Sequence, residues 1–171
     1  MLKSAFLAMT TAGLIAATPC AFAGYQEWTV EIDEDPFDNK GSLAMSYFED
    51  ASGALLVLCE EGSNAIIFRL GISYSIGTDG ITDRPLSFGI IIDKFESHLG
   101  FARASVIGEN TVAIDFPLED EPALRLLEEM RDGQSKIYVK LADGDPVSYP
   151  LRGSTRAATK AISYCFGDDQ P

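Results

Sequence analysis

Few residues in this 171-residue chain could make or break bonds. His98 is the single histidine, so a zinc site built on several imidazoles is excluded and a hydrolytic triad would have one candidate base. No nucleophile-elbow sequence supplies the serine; Ser97 and Ser87 are the hydroxyls nearest along the chain. Its own surroundings, Glu96-Ser97-His98-Leu99-Gly100, read as a solvated surface turn. Glycines are dispersed among turns, leaving no phosphate loop and no dinucleotide fingerprint. Carboxylates are plentiful, and pairs such as Asp33/Asp35 or Glu119/Glu121 could cradle Ca²⁺ or share acid–base work. The better cluster is Asp33-Glu34-Asp35-Pro36-Phe37-Asp38-Asn39, where oxygen ligands recur along a loop but without the EF-hand spacing and its closing Glu. Asp33, Asp35, Phe37 and Asp38 are read as a binding loop, with Ca²⁺ as the alternative occupant. No catalytic residue, resident metal or cofactor is assigned.

Charge narrows the partners. Thirteen basic residues stand against 26 acidic ones, a formal charge of −13. A nucleic-acid binder needs a basic face to displace counterions, and no such cluster of Lys and Arg exists in the sequence. An anionic membrane surface is disfavoured for the same reason. The acid excess can lure a basic partner or simply keep the protein in solution, and composition does not separate the two. Among the early aromatics, Tyr25, Trp28, Phe37, Tyr47 and Phe48, core packing is the favoured role and an exposed recognition patch the alternative.

The first residues form an export signal. Lys3 is the only charge before an uncharged, mostly apolar run from Ala5 to Ala17, too short to span a bilayer comfortably. Ala21-Phe22-Ala23 supplies a small-x-small cleavage site, so residues 1–23 are a signal peptide and 24–171 a single mature domain without a membrane span. Lipidation at Cys20 is the lesser alternative, because Pro19 stands where a small residue is wanted. Two cysteines then remain, Cys59 and Cys165, in a chain sent to an oxidising compartment. Glu60 and Glu61 beside Cys59 would raise a thiol pKa and slow its chemistry, so a structural disulfide is favoured over a reactive thiol.

These residues need a scaffold, and periodicity supplies one. Strand-like runs cover Tyr25 to Ile32, Ser42 to Glu49, Ala54 to Glu61 and Asn64 to Leu70, the last extending to Ile76 past a bulge. Four such runs in succession predict an antiparallel meander. After a connection from Gly77 to Pro85, strands follow at Leu86 to Phe95, Phe101 to Ile107 and Thr111 to Phe116. Acidic residues and Pro122 ahead of Ala123 to Asp132, with Gly133 behind, predict a helix whose inner face holds Ala123, Leu127 and Met130. Ser135 to Leu141 and Val147 to Leu151 make a hairpin, and Gly153-Ser154 offers an N-cap for a last helix from Thr155 to Phe166. The expected class is α+β: a mainly antiparallel sheet or sandwich with two helices near the C-terminus and one disulfide.

The order of these features resembles the small periplasmic proteins of Gram-negative bacteria that include the invasion-associated locus B family and the type VI secretion accessory proteins. The likeness rests on Glu27-Trp28-Thr29-Val30 entering Asp35-Pro36-Phe37-Asp38, on Leu56-Val57-Leu58-Cys59, and on the close. There Lys136-Ile137-Tyr138-Val139 and Tyr149-Pro150-Leu151-Arg152-Gly153-Ser154 lead into an alanine-rich helix carrying Cys165. The resemblance implies a non-enzymatic role in binding or assembly and carries over no catalytic residue. The expected function is that of an exported envelope or secretion accessory protein, periplasmic or secreted, acting on another envelope or secreted protein. The alternatives are a carboxylate-dependent hydrolase of envelope glycan or peptide and a Ca²⁺-dependent structural or adhesion protein.

Overall fold

A computed structural model describes residues 25–34, 41–50, 53–61, 65–73, 85–108 and 110–167. Nine strands are present: β1 (Thr29–Glu34), β2 (Gly41–Asp50), β3 (Gly53–Glu60), β4 (Ala65–Ser73), β5 (Leu86–Ile92), β6 (His98–Gly108), β7 (Thr111–Glu119), β8 (Lys136–Leu141) and β9 (Val147–Pro150). Two helices complete the fold, α1 (Asp120–Asp132) and α2 (Ser154–Phe166). All strand pairs are antiparallel, in the order β1-β2-β3-β4-β7-β6-β5-β8-β9. This is a half-barrel with both helices late in the chain, as the expected α+β class requires.

Alternation decides the two faces. Leu43, Met45 and Tyr47 of β2, Leu55 and Val57 of β3, and Ile66, Phe68 and Leu70 of β4 point to one side and are buried. Ala123, Leu126, Leu127 and Met130 of α1 meet this inner face, as do Ala157, Ala158 and Ala161 of α2. Small alanines let α2 pack close to its neighbours, and the disulfide Cys59–Cys165 fastens it to β3 with a Cα–Cα distance of 6.1 Å.

Pro117 shapes the half-barrel. It pairs with Ile67 on β4, but the ladder between β6 and β7 ends at Arg103↔Asp115, two residues earlier. A proline has no N–H to offer a second neighbour, so β7 becomes an edge toward β6 at this point. The first half of β6 pairs with β5 instead, through Leu86↔Ala102 to Ile90↔His98. The Phe116 ring packs over Gly100, where a Cβ would stand only 2.7 Å from it, and reaches Phe88 at 5.1 Å between centroids. Gly100 is therefore what lets the ring lie across the gap between the two ladders.

The ends of the sheet are brought together by the residues before β1. Gln26 N–H donates to Phe48 O (2.7 Å), Trp28 N–H to Arg152 O (2.8 Å) and Trp28 Nε1–H to Pro150 O (3.1 Å). Trp28 is fully buried and lies 5.7 Å from Tyr47, which in turn meets Tyr149 edge-on at 5.9 Å. A seam of aromatics thus joins β2 to β9. Gly153 belongs to it: its φ is +83°, and a Cβ there would come within 2.7 Å of Trp28 O.

Several boundaries differ from expectation. The first strand starts at Thr29 rather than Tyr25 because Gln26 adopts a positive φ of 53°, which breaks an extended run. β4 keeps an unbroken register to Ser73, without the bulge expected there; the irregularities fall at Phe48/Asp50 and Val106/Gly108. β5 stops at Ile92, where Asp93 turns with φ 47°. β7 runs to Glu119 and passes into α1 without a loop. Gly153 is the N-cap of α2, yet no side chain caps it, and Ser154 Oγ is buried without a partner. Glu27 packs against Gly153 and is held by Arg152 (3.3 Å) and Arg156 (3.8 Å), placing a carboxylate beside the positive end of α2. The signal segment, the Cys20 alternative and the connection from 77 to 84 lie outside the described residues.

Candidate interaction surface

His98 is not in a solvated turn. It opens β6 on the inner face, where its Nε2 lies 2.7 Å from Glu129 Oε2 of α1, both side chains being less than one-tenth exposed. Sequence misplaced it because Ser97 and Gly100 suggested a turn, whereas β6 already alternates from His98 through Gly100 to Ala102 and Ala104. Glu129 Oε1 accepts from Arg125 Nε (3.0 Å), and Arg125 Nη2 donates to Glu96 (2.7 Å). The hydrogen bond from Arg125, and then its charge, hold the Glu96 carboxyl below its usual range. Both Glu129 oxygens are thus occupied, and no hydroxyl or thiol is bonded to His98 among the described residues. The chain of contacts clamps α1 over the start of β6.

The opposite, outer face is unusual. On β6 the buried positions are filled by Ala102 and Ala104, so the large side chains of the same strand point outward: Leu99 is 75% exposed and Phe101 70%. Across the sheet, Leu99 is in register with Gly89 of β5 and, beyond it, Lys140 of β8; Ile91 is in register with Tyr138. Gly89 makes the centre flat, and Leu99 leans over it so closely that a Cβ on Gly89 would lie 2.9 Å from Leu99 Cδ2. Ile91 and Tyr138 are 40% and 38% exposed. Tyr138 is the ridge between two clefts. One, of about 410 Å³, is floored by Gly89, Ile91, Leu99, Lys140 and Pro146; the other, of about 530 Å³, is lined by Asp93, Lys94, Phe95, Asp132 and Gln134. Contiguous exposed apolar side chains of this size mark interaction sites more often than scattered single ones do.

Asp93 shapes one of these clefts. Its carboxylate accepts the backbone N–H groups of Gln134 (2.7 Å), Ser135 (3.1 Å) and Lys136 (2.7 Å), tying the β5–β6 turn to the chain that leaves α1. Desolvation alone would raise its pKa, but the three donors together outweigh it and hold the carboxyl below its ordinary 3.8. A depressed carboxyl contributes stability that is complete above the unfolded value and lost as pH falls through the folded one. Asp93→Asn, which keeps a residue type tolerated at φ 47°, is expected to cost about 1–2 kcal/mol at pH 7, the charged bonds being discounted for solvent competition. Urea titrations should show the gap between variant and parent closing as pH drops below 3.8. A gap independent of pH would reject this role.

The residues singled out in the sequence fall elsewhere. Asp33 is exposed on β1, opposite Ser42 and away from the β5–β6–β8 face. Asp35, Phe37 and Asp38 lie outside the described residues. Trp28 and Tyr47 are core, while Tyr25 and Phe48 remain exposed beside one another. Glu119 and Glu121 are exposed at the start of α1. Among the described residues, no group of three or more His, Cys, Asp or Glu side chains is arranged to hold a metal ion. The outer apolar face was missed, although its signal was present: Leu99, Phe101 and Ile107 alternate with Gly100, Ala102 and Gly108, so the bulk sits on the side opposite the small residues.

Fold and site together define a disulfide-closed, mainly antiparallel half-barrel, backed by two helices and carrying a bare apolar face. No helix among the described residues is long and apolar enough to cross a membrane. No protein-family model matches the chain, and no curated protein or solved structure is significantly similar to it.

Proposed function

We propose that this is an exported envelope or secretion accessory protein that binds another protein and does no catalysis of its own. The observation that carries the reading is the outer face of β5, β6 and β8, where Leu99, Phe101, Ile91 and Tyr138 stand exposed side by side. Covering Leu99 or Phe101 with a partner gains about 1.5–3 kcal/mol each, enough for two such anchors to dominate a standard interface. The disulfide suits an oxidising compartment, and the export signal read in residues 1–23 gives the route to it. The order of features resembling invasion-associated locus B and type VI secretion accessory proteins points the same way.

A photoreactive side chain at position 101, in cells of the source organism, should give one discrete crosslinked adduct, and the same group at Glu31 on β1 should not. Leu99→Asp with Phe101→Asp should abolish the capture. Because both positions are solvent-facing, each substitution should move the unfolding free energy by no more than about 0.5 kcal/mol. Equal labelling from 101 and 31, or none from either, would remove the basis of the proposal.

A further inference from the structure

The outward strand positions of this face carry cations although the molecule is acidic, and carboxylates stand around them: Asp143 in the cleft beside Lys140, Asp93 and Asp132 in the cleft beside Tyr138, and Asp115, held by Arg69, in register with Arg103 on β7. The outward positions of β5, β6 and β8 are Ser87, Gly89 and Ile91, then Leu99, Phe101, Arg103, Ser105 and Ile107, then Lys136, Tyr138 and Lys140. They hold three cations and no carboxylate, in a chain with twice as many acids as bases. Most other described cations are spoken for: Arg69 by Asp115, Arg125 by Glu96 and Glu129, Arg131 by Asp132, Arg152 and Arg156 by Glu27. Arg103, Lys136 and Lys140 have no ion-pair partner among the described residues. Lys136 and Lys140 flank Tyr138 on β8, and Arg103 follows Phe101 on β6, so the charges border the apolar centre on two sides.

Resting on the proposed docking role, we infer that the occupant of this face is an acidic, apolar segment of another protein, its carboxylates meeting Arg103, Lys136 and Lys140 and its apolar side chains covering Leu99 and Phe101. Two other occupants fit less well. A second copy docked face to face about a two-fold axis would set this patch of cations against the same patch, with no added carboxylates to meet them. An anionic bilayer is an extended plane that also meets the acidic remainder of the molecule, whereas a short segment lies within about 8 Å of the local cations and feels mainly them.

The test uses the mature protein and a short labelled peptide in which Glu alternates with Phe and Leu, beside a counterpart with Lys for every Glu and vesicles containing phosphatidylglycerol. The acidic peptide should bind at least tenfold more tightly than the basic one and weaken as salt is raised. Arg103→Glu with Lys140→Glu should invert the preference; Arg103→Gln with Lys140→Gln, a milder pair, should only flatten it. Equal affinity for both peptides would overturn the acidic partner while leaving an apolar docking face. Binding to vesicles but to neither peptide would assign the face to lipid and overturn the inference. If no probe binds yet the crosslink at position 101 forms, the partner's chemistry is wrong and the docking role stands; if both fail, both readings fall.

Discussion

Replacing Cys59 and Cys165 together by Ala is expected to lower the unfolding free energy by about 2–5 kcal/mol and the melting temperature by on the order of 10 °C. The bond closes a span of 106 residues, for which the loss of unfolded-chain entropy alone gives about 4–5 kcal/mol. Its location adds to the effect. Cys59 is buried on β3 between strands that the sheet holds anyway, but Cys165 is near the end of α2, a helix whose fully buried contacts are small alanines and whose larger residues Ile162, Tyr164 and Phe166 are only partly buried against the core. Reduction should therefore loosen α2 before the sheet. Urea midpoints with and without reductant measure the first claim, and limited proteolysis between residues 154 and 167 measures the second. Coincident midpoints would show that the crosslink constrains nothing the fold does not already fix. A chain of residues 24–171 should show no titratable thiol in denaturant.

Trp28→Ala should be nearly as damaging, at about 3–5 kcal/mol, because it empties the largest buried side chain at the seam and leaves Pro150 O without its indole donor. Trp28→Phe separates the two contributions. It keeps much of the packing against Tyr47 and drops only the hydrogen bond, a change of about 1 kcal/mol for the bond itself. Chemical denaturation of the three proteins orders them, and an Ala variant within about 1 kcal/mol of the parent would mean that the seam is held by the strands rather than by Trp28.

The sheet was legible because its chemistry is local. Leu43, Met45 and Tyr47 alternate with Ser42, Ala44 and Ser46, and Val112, Ile114 and Phe116 do the same on β7, so period and facing follow from the residues themselves. Helix α1 announced itself through Asp120, Glu121 and Pro122 at one end and Gly133 at the other. The disulfide followed from compartment and count. What escaped depends on contacts between residues far apart in the chain. The alternation through Gly100, Ala102 and Ala104 places His98 on the inner face, but its partner there, Glu129, lies 31 positions later and nothing near His98 encodes it. Trp28 was read as core, but its role as the clasp between β2 and β9 requires knowing that Pro150 and Arg152 lie across from it. The outer face escaped for a different reason: an apolar residue on a strand is presumed to face inward, and only the small side chains of Gly100, Ala102 and Ala104 reveal that β6 is reversed.

The seam has a consequence for how the chain reaches this structure. Trp28 and Pro150 are 122 positions apart, and the crosslinked cysteines 106, so the contacts that close the molecule are among the last that synthesis makes available. Ladders between successive strands, from β1 to β4, can zip as they emerge, but Trp28 has nowhere to go until Arg152 has followed. A large indole stays exposed through that interval, and closure waits on loops of high entropic cost. The protein is thus built to close only once its last strand and α2 are available, and until then its single tryptophan lacks the partners that bury it.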